Sequence, residues 1–333
     1  MSVYFRPLVQ HGAARPASAL PLAGQAGLWF THAERLERGQ APDILPADAV
    51  PPAWQSRLTA PRAPVAGLEM AQPQVMGILN VTPDSFSDGG RHLAVADALT
   101  AGHAMQAAGA AILDVGGEST RPGADFVPED EEMARTAPVI EALRAELPLP
   151  VSIDTRKLSV ARAAVQAGAA LVNDVSGFTF DAGLAPFCGK VGLPVCVMHA
   201  QGDPATMQDA PEYDDVLLDV YDHLEARIDA LGEEGIPRGH ILADPGIGFG
   251  KTQAHNLALL KGLSLFHGLG CALLLGVSRK RFVGTLGQAP EPTDRMPGSV
   301  AVGLAGLAQG VQILRVHDVA ETVQAIRLWQ AVR

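Results

Sequence analysis

A repeated pattern governs what this chain can fold into: short apolar runs, each closing on a polar or ionisable residue. In order the runs end on Asn80, Asp114, Asp154, Asn173–Asp174, His199, Asp244, Ser278 and Arg315–His317. A strand buried on both faces reads as continuous Val, Ile and Leu. The pattern predicts strands at 75–80, 111–115, 151–154, 171–174, 195–199, 241–244, 272–277 and 311–316. Between them lie Ala-, Leu-, Glu- and Arg-rich segments that predict helices at 95–108, 129–147, 159–167, 181–191, 213–231, 254–260, 297–308 and 319–331.

Strand–helix alternation at this spacing suits right-handed parallel crossovers. Eight such units predict an α/β fold, a (β/α)8 TIM barrel spanning 73–333. The residues just past the strands then converge on one mouth, where barrel chemistry is found. A doubly wound sheet is the alternative, but no GxGxxG turn follows an early strand. Residues 1–72 differ: prolines at 7, 16, 21, 42, 46, 51, 52, 61 and 64 forbid long helices and central strands. This N-terminal Pro-rich extension reads as partly ordered, with a strand near 27–31 and helical turns near 33–38. Trp29, Phe30 and Trp54 give it apolar groups to pack on the barrel.

With 36 acidic against 25 basic residues and no dense Lys/Arg block, nucleic acid and anionic membranes are poor partners. No apolar stretch reaches the roughly 18 residues of a membrane span. Cys188, Cys196 and Cys271 are odd in number and lack CxxC spacing, which argues against a disulfide framework or a zinc site. A reducing, cytoplasmic location is expected. Arg6 and Arg15 in an acid-free start leave a transit peptide as an alternative, opposed by the scarcity of Ser and the prolines.

Several loops carry chemistry. Asn80 offers an amide oxygen suited to Mg²⁺ beside a phosphate; alone, Asn80 and Thr82 serve equally well as turn caps. Arg121, between two glycine-containing bends, presents a fork to carboxylate or phosphate, or is a solvated surface residue. Asp154, Asn173 and Asp244 follow apolar strands, and buried groups of this kind need hydrogen-bonding partners. A heterocycle with an amino-amidine edge supplies two parallel N–H donors for one carboxylate, and Asn can read a second edge. A structural network joining strands is the other reading. Asp114 divides evenly between structural and site roles.

In Asp244-Pro-Gly-Ile-Gly-Phe-Gly-Lys251, the glycines permit close backbone approach, Phe249 can flank a planar ring, and Lys251 faces phosphate or solvent. Lys280 can hydrogen-bond a ring atom, and Ser278 can hold a carboxylate or amine. Arg315 and His317 alternate on strand eight and so point into the mouth together as a cationic clamp. His199 reads as a hydrogen-bonding or wall residue, with Met198 on the apolar side of the pocket.

Taken in order, Met76-Gly-Ile-Leu-Asn-Val-Thr-Pro-Asp-Ser-Phe-Ser-Asp-Gly-Gly90, Gly117-Glu-Ser-Thr-Arg-Pro-Gly123, Ser152-Ile-Asp-Thr155, Asn173-Asp174, Asp244 to Lys251, Ser278-Arg-Lys280 and Arg315-Val-His-Asp318 resemble the dihydropteroate synthase family of pterin-binding TIM barrels. The resemblance implies a transferase of folate biosynthesis, a sulfonamide target. It would join 6-hydroxymethyl-7,8-dihydropterin pyrophosphate to 4-aminobenzoate, giving 7,8-dihydropteroate and pyrophosphate. By the same resemblance Asp154, Asn173, Asp244 and Lys280 hold the pterin beside Met198. Asn80 ligates Mg²⁺, and Arg315 and His317 bind pyrophosphate. Thr120, Arg121, Pro122, Phe249 and Ser278 surround the aminobenzoate. The resemblance also implies a homodimer through late barrel helices and an SN1-like reaction, with Asp154, Lys280, Arg315 and His317 as the catalytic set. A pterin-binding methyltetrahydrofolate methyltransferase and a catalytically inactive paralogue are the competing readings.

Overall fold

A computed structural model describes residues 2–25, 27–81, 90–119, 126–202 and 211–333, and of 90–94 the backbone alone. Thr82, Thr120, Arg121 and Pro122 lie outside the described residues. Eight strands form a closed parallel barrel: β7 (Gln74–Asn80), β8 (Ile112–Gly116), β9 (Val151–Asp154), β10 (Leu171–Asp174), β11 (Val195–Met198), β12 (Ile241–Asp244), β13 (Ala272–Leu275) and β14 (Ile313–Val316). Each pairs with the next, and β14 closes on β7 with Leu314 opposite Val75.

Period-two alternation explains where the site falls. Outward residues such as Val75, Leu113, Ile153, Val172, Val197, Ala243, Leu275 and Leu314 join the large core shared with the helices. Inward residues Met76, Ile112, Leu171, Cys196, Leu242, Leu274 and Ile313 fill the lower barrel. Two residues further along, the inward positions become Asp114, Asp154, Asn173, Met198, Asp244 and Arg315. The interior thus turns from apolar to polar within one strand step. Truncating a lower-layer residue such as Leu242 to Ala would cost about 2–5 kcal/mol, because its neighbours cannot collapse into the space.

The lower end is stoppered. A tight reversal pairs Val65 with Leu68, and Val65 and Met70 bury into the same cluster as the lower layer.

Helices α2 (Gly90–Ala108), α3 (Glu129–Glu146), α4 (Leu158–Gln166), α5 (Leu184–Val191), α6 (Val216–Glu233), α7 (Gln253–Lys261), α8 (Arg281–Leu286), α9 (Met296–Ala308) and α10 (Val319–Val332) surround the barrel. Local chemistry starts several of them. Asp215 accepts from Leu217 N and Leu218 N at the head of α6, and Thr252 with His255 makes a capping box for α7. Four acidic residues, Glu129 to Glu132, occupy the first turn of α3, where the helix dipole favours them. The sequence reading missed α8 and the 3-10 segment Leu263–Leu269.

Residues before the barrel form two three-stranded antiparallel sheets. In one, β1 (Val3–Pro7), β5 (His32–Glu37) and β6 (Asp43–Pro46) pair in that order; in the other, β4 (Leu28–Phe30) lies between β2 (Gln10–His11) and β3 (Leu20–Pro21). Helix α1 (Pro52–Thr59) follows, with Pro52 at its first position. Phe5, Leu22, Leu28, Phe30, Ala33, Val50 and Leu58 make a separate small core. The expected strand near 27–31 is present, but the helical turns expected at 33–38 are a strand. Ala, Glu, Arg and Leu favour helix only weakly, and β5 is hydrogen-bonded on both edges.

This layer rests on α6 and the 263–269 segment. Trp54 stacks on Tyr221 at 5.6 Å between centroids. Tyr4 Oη donates to Asp222 Oδ1 at 2.8 Å, and Ser264 Oγ donates to Pro7 O at 2.9 Å.

Candidate active site at the barrel mouth

The polar inward layer is one connected network. Arg315, on β14, donates through Nε to Asp114 Oδ2 at 2.6 Å and through Nη2 to Asp154 Oδ2 at 2.7 Å. Asn173 Nδ2 donates to the same Asp114 oxygen at 3.1 Å. Asp114 therefore orients both Arg315 and Asn173, a role that its place inside the Leu-Asp-Val-Gly run did not reveal. The remaining oxygens, Asp114 Oδ1 and Asp154 Oδ1, are buried and have no hydrogen-bond partner among the described residues. Leaving such acceptors bare costs about 1–3 kcal/mol each, so a donor-bearing ligand here starts with that advantage.

Burial pushes the Asp154 carboxyl up to about 7; Arg315 opposes this, while Asp114, Glu132 and Asp174 add to it. Burial alone would lower the Arg315 guanidinium, but Asp114 and Asp154 more than offset it and hold it protonated.

Asp244 ends β12 beside Met198, its register partner on β11. Its Oδ1 accepts from Gly246 N at 2.8 Å. Burial raises its carboxyl; the Gly246 bond and the charges of Lys280, Lys251 and Arg315 work the other way. The following turn lies tight against β11. A Cβ on Gly246 would sit 1.9 Å from His199 O, and the residue has φ +66°, so only glycine fits. Lys280 Nζ stands 4.0 Å from the centroid of Phe249, which places this lysine and this ring together at the turn.

Lys251 corrects the sequence reading, since it faces neither phosphate nor solvent. It is 3% exposed and points back under its own turn. Its Nζ contacts Gly246 O and Phe249 O at 2.9 Å each, His199 O at 3.2 Å and His199 Nδ1 at 2.8 Å. Burial draws the Lys251 ammonium down to about 7, with Asp244 opposing and Lys280 adding. Burial, Lys251 and His223 hold the His199 ring at about 2, so it is neutral and its Nδ1 can accept. His199 is thus a hydrogen-bonding residue, as its position after β11 suggested.

Nearer the rim, Ser278 Oγ lies 2.9 Å from His317 Nδ1 and 3.2 Å from His317 N, which donates to it. Arg315 and His317 share a strand end but occupy different levels: the guanidinium sits between two carboxylates, the imidazole beside Ser278. Asn80 ends β7 and is exposed. A Cβ on Gly116 would lie 3.7 Å from Asn80 Oδ1 and 3.9 Å from Asp154 Oδ2, so the two side chains flank that glycine.

One further network escaped the sequence reading. Lys157, fully buried, donates to Glu118 Oε1 at 3.1 Å, Glu132 Oε2 at 2.6 Å and Val127 O at 2.5 Å. It ties the tip of β9 to α3 and to the loop after β8. Its Thr-Arg-Lys context offers no periodic or motif signal, because the partners come from distant segments.

Residues 76–317 match the family described as Pterin binding enzyme. The chain is 46% identical over 264 residues to the dihydropteroate synthase of Escherichia coli strain K12, covering 79% of this chain and 93% of that one. Among solved structures, the Xanthomonas albilineans dihydropteroate synthase with 4-aminobenzoic acid superposes with a TM-score of 0.76 at 48% identity, covering 82% of this chain and 98% of that one. The same enzyme in complex with 7,8-dihydropteroate gives a TM-score of 0.73 at 44% identity, with the same shares covered. With its barrel, polar mouth and sequence in agreement along this length, the chain belongs to the dihydropteroate synthase family.

Proposed function

We propose that this chain is a dihydropteroate synthase, a transferase that joins 6-hydroxymethyl-7,8-dihydropterin pyrophosphate to 4-aminobenzoate with loss of pyrophosphate. The observation that carries the reading is the polar layer at the mouth: Asn173, Asp244 and the Asp114–Arg315–Asp154 network stand directly above an apolar floor. A flat heterocycle with several N–H donors suits such a ring, because buried carboxylate oxygens need donors.

In this reading Asp244 and Asn173 take the donor and acceptor edges of the pterin, and Lys280, beside Phe249, hydrogen-bonds its carbonyl or ring nitrogen. An aromatic amine is a weak nucleophile, so the reaction gains most from easing departure of pyrophosphate. The C–O bond from the pterin methylene to the pyrophosphate breaks with its electron pair going to oxygen, leaving a cation delocalised into the ring. The Asp154 carboxylate, held in place by Arg315, stabilises that cation. Arg315 and His317 face the developing negative charge, a preorganised effect that requires no reorganisation during the reaction. The amine nitrogen then forms the new C–N bond and loses a proton. Ser278 and Phe249, with Thr120, Arg121 and Pro122, are assigned to the aminobenzoate.

Mg²⁺ fits this site in one respect. Among the described residues no group of three His, Cys, Asp or Glu could hold a metal ion, and Asn80 brings a single neutral oxygen. Mg²⁺ keeps most of its shell in water and phosphate oxygens, so one protein ligand suffices. When bound it would neutralise pyrophosphate charge.

A homodimer is supported by Leu328 and Val332 on the outer face of α10, 63% and 83% exposed, and by α9, which carries no charged residue. Three buried free cysteines favour a cytoplasmic location. Among the described residues no helix is long and apolar enough to cross a membrane.

The decisive experiment mixes both substrates with Mg²⁺ and follows pyrophosphate and dihydropteroate together. Stoichiometric appearance of both supports the reading. Methyl transfer from methyltetrahydrofolate without pyrophosphate release would replace it with the methyltransferase. Pterin binding without turnover would point to an inactive paralogue.

A further inference from the structure

We propose that Lys251 is a positioning residue for the pterin-binding turn: without touching substrate, its side chain sets where Asp244 and Phe249 stand. The inference rests on the synthase reading above. Four acceptors converge on its Nζ: Gly246 O, Phe249 O, His199 O and His199 Nδ1, all between 2.8 and 3.2 Å. Two of these lie on the turn and two on the residue that follows β11, so one nitrogen ties the turn to the neighbouring strand. The carbonyls converge because Gly246, Gly248 and Gly250 all adopt left-handed φ values, +66°, +85° and +59°. These bends turn carbonyl oxygens inward; Gly246 O also accepts from Phe249 N at 3.2 Å, and a long donor-only side chain meets both it and Phe249 O.

The anchored groups are the ones that face the mouth. Gly246 N, adjacent to the anchored carbonyl, donates to Asp244 Oδ1, which fixes the carboxylate rotamer. Phe249, whose own carbonyl is held, presents its ring to Lys280. Releasing Nζ therefore loosens an acceptor of the pterin and the ring beside Lys280 in a single event. The remainder of the barrel does not depend on it, since β11 and β12 are paired along four register positions below this point.

The test is calorimetric titration of the full-length protein with 6-hydroxymethyl-7,8-dihydropterin pyrophosphate and Mg²⁺, at a temperature where circular dichroism shows every variant folded. Lys251→Met is expected to weaken pterin binding at least tenfold. Leu231→Ala, a buried truncation in the last turn of α6, serves as the control for lost stability and is expected to leave the affinity within threefold. Gly250→Ala keeps the lysine but pushes a Cβ to 2.5 Å from Gln201 O; it should reproduce the loss, and it decides the matter if Lys251→Met does not fold. Pterin affinity within threefold of wild type in a folded Lys251→Met, or in Gly250→Ala when that variant alone folds, overturns the proposal. So does an equal loss in Leu231→Ala, which would make the effect one of general stability. Wild-type protein that fails to bind the pterin would overturn the synthase reading itself, and this proposal with it.

Discussion

Arg315 reaches across the barrel mouth to Asp154, Nη2 to Oδ2 at 2.7 Å, although 161 positions separate them in the chain. The same guanidinium holds Asp114, so two carboxylates depend on one cation in a buried setting. Removing it leaves both uncompensated, the situation in which a buried pair becomes costly. Arg315→Met should destabilise the fold by about 3 kcal/mol, read as a lowered midpoint in urea, and should abolish turnover. A variant with wild-type stability would show that the two carboxylates are matched elsewhere.

Asp154 ties activity to pH. Its carboxyl is pushed up to about 7 by burial, above the usual carboxylate range. The folded state therefore holds this proton more tightly than the unfolded chain does. The resulting stability is fully present below about pH 4 and is lost as pH rises through about 7. Catalysis in the proposed scheme needs the carboxylate, so activity moves the opposite way. The value of kcat/KM should fall with unit slope below about pH 7. Asp154→Asn should be slow by at least about 100-fold and lack that limb. An acid limb that survives in Asp154→Asn would assign it to another group.

Lys280 should act on binding of the pterin. Its proposed hydrogen bond to the ring is charge-assisted and worth about 1.5–3 kcal/mol, so Lys280→Met should weaken pterin pyrophosphate binding by roughly 10- to 150-fold. Aminobenzoate KM should change much less. A variant in which only aminobenzoate KM rises would place Lys280 at the other substrate.

The order of bond making and breaking can be read directly. If the C–O bond breaks before the amine attacks, oxygen label placed between the pterin methylene and the α-phosphorus should scramble into the non-bridging positions of that phosphorus without aminobenzoate present. Isotope exchange followed by ³¹P NMR reports this. Absence of scrambling while pyrophosphate stays bound would favour a concerted displacement.

The N-terminal layer and the stopper below the barrel should separate by truncation. A chain beginning at Pro64 loses Trp54 and Tyr4 from their places on Tyr221 but keeps Val65 and Met70 in the lower cluster. One beginning at Pro73 loses both. The second should be the less stable by several kcal/mol, since burying each apolar side chain contributes about 1.5–3 kcal/mol. Equal midpoints would mean that the stopper contributes nothing.

Much of this architecture was legible because strand periodicity and motif order are local signals. Apolar runs ending in polar residues placed all eight barrel strands, with shifts of one or two residues at their ends. What stayed hidden depends on partners far along the chain. Asp114 looked ambiguous because its interlocutor, Arg315, lies 201 positions away. Lys157 was silent for the same reason. Lys251 misled because a lysine after a glycine-rich turn ordinarily faces water; only the left-handed turn shows the carbonyls that gather around its Nζ. Residues 33–38 carry helix-favouring side chains, and the two flanking strands override that preference.

Val65 and Met70 seal the far end of the cylinder, which leaves traffic a single doorway. In the proposed arrangement, a pterin resting against Asn173 and Asp244 has to arrive before an aminobenzoate that settles over Ser278, and whatever sits outermost has to leave first. The sequence of entry and exit is then imposed by a dead end, independent of any difference in affinity between the two substrates.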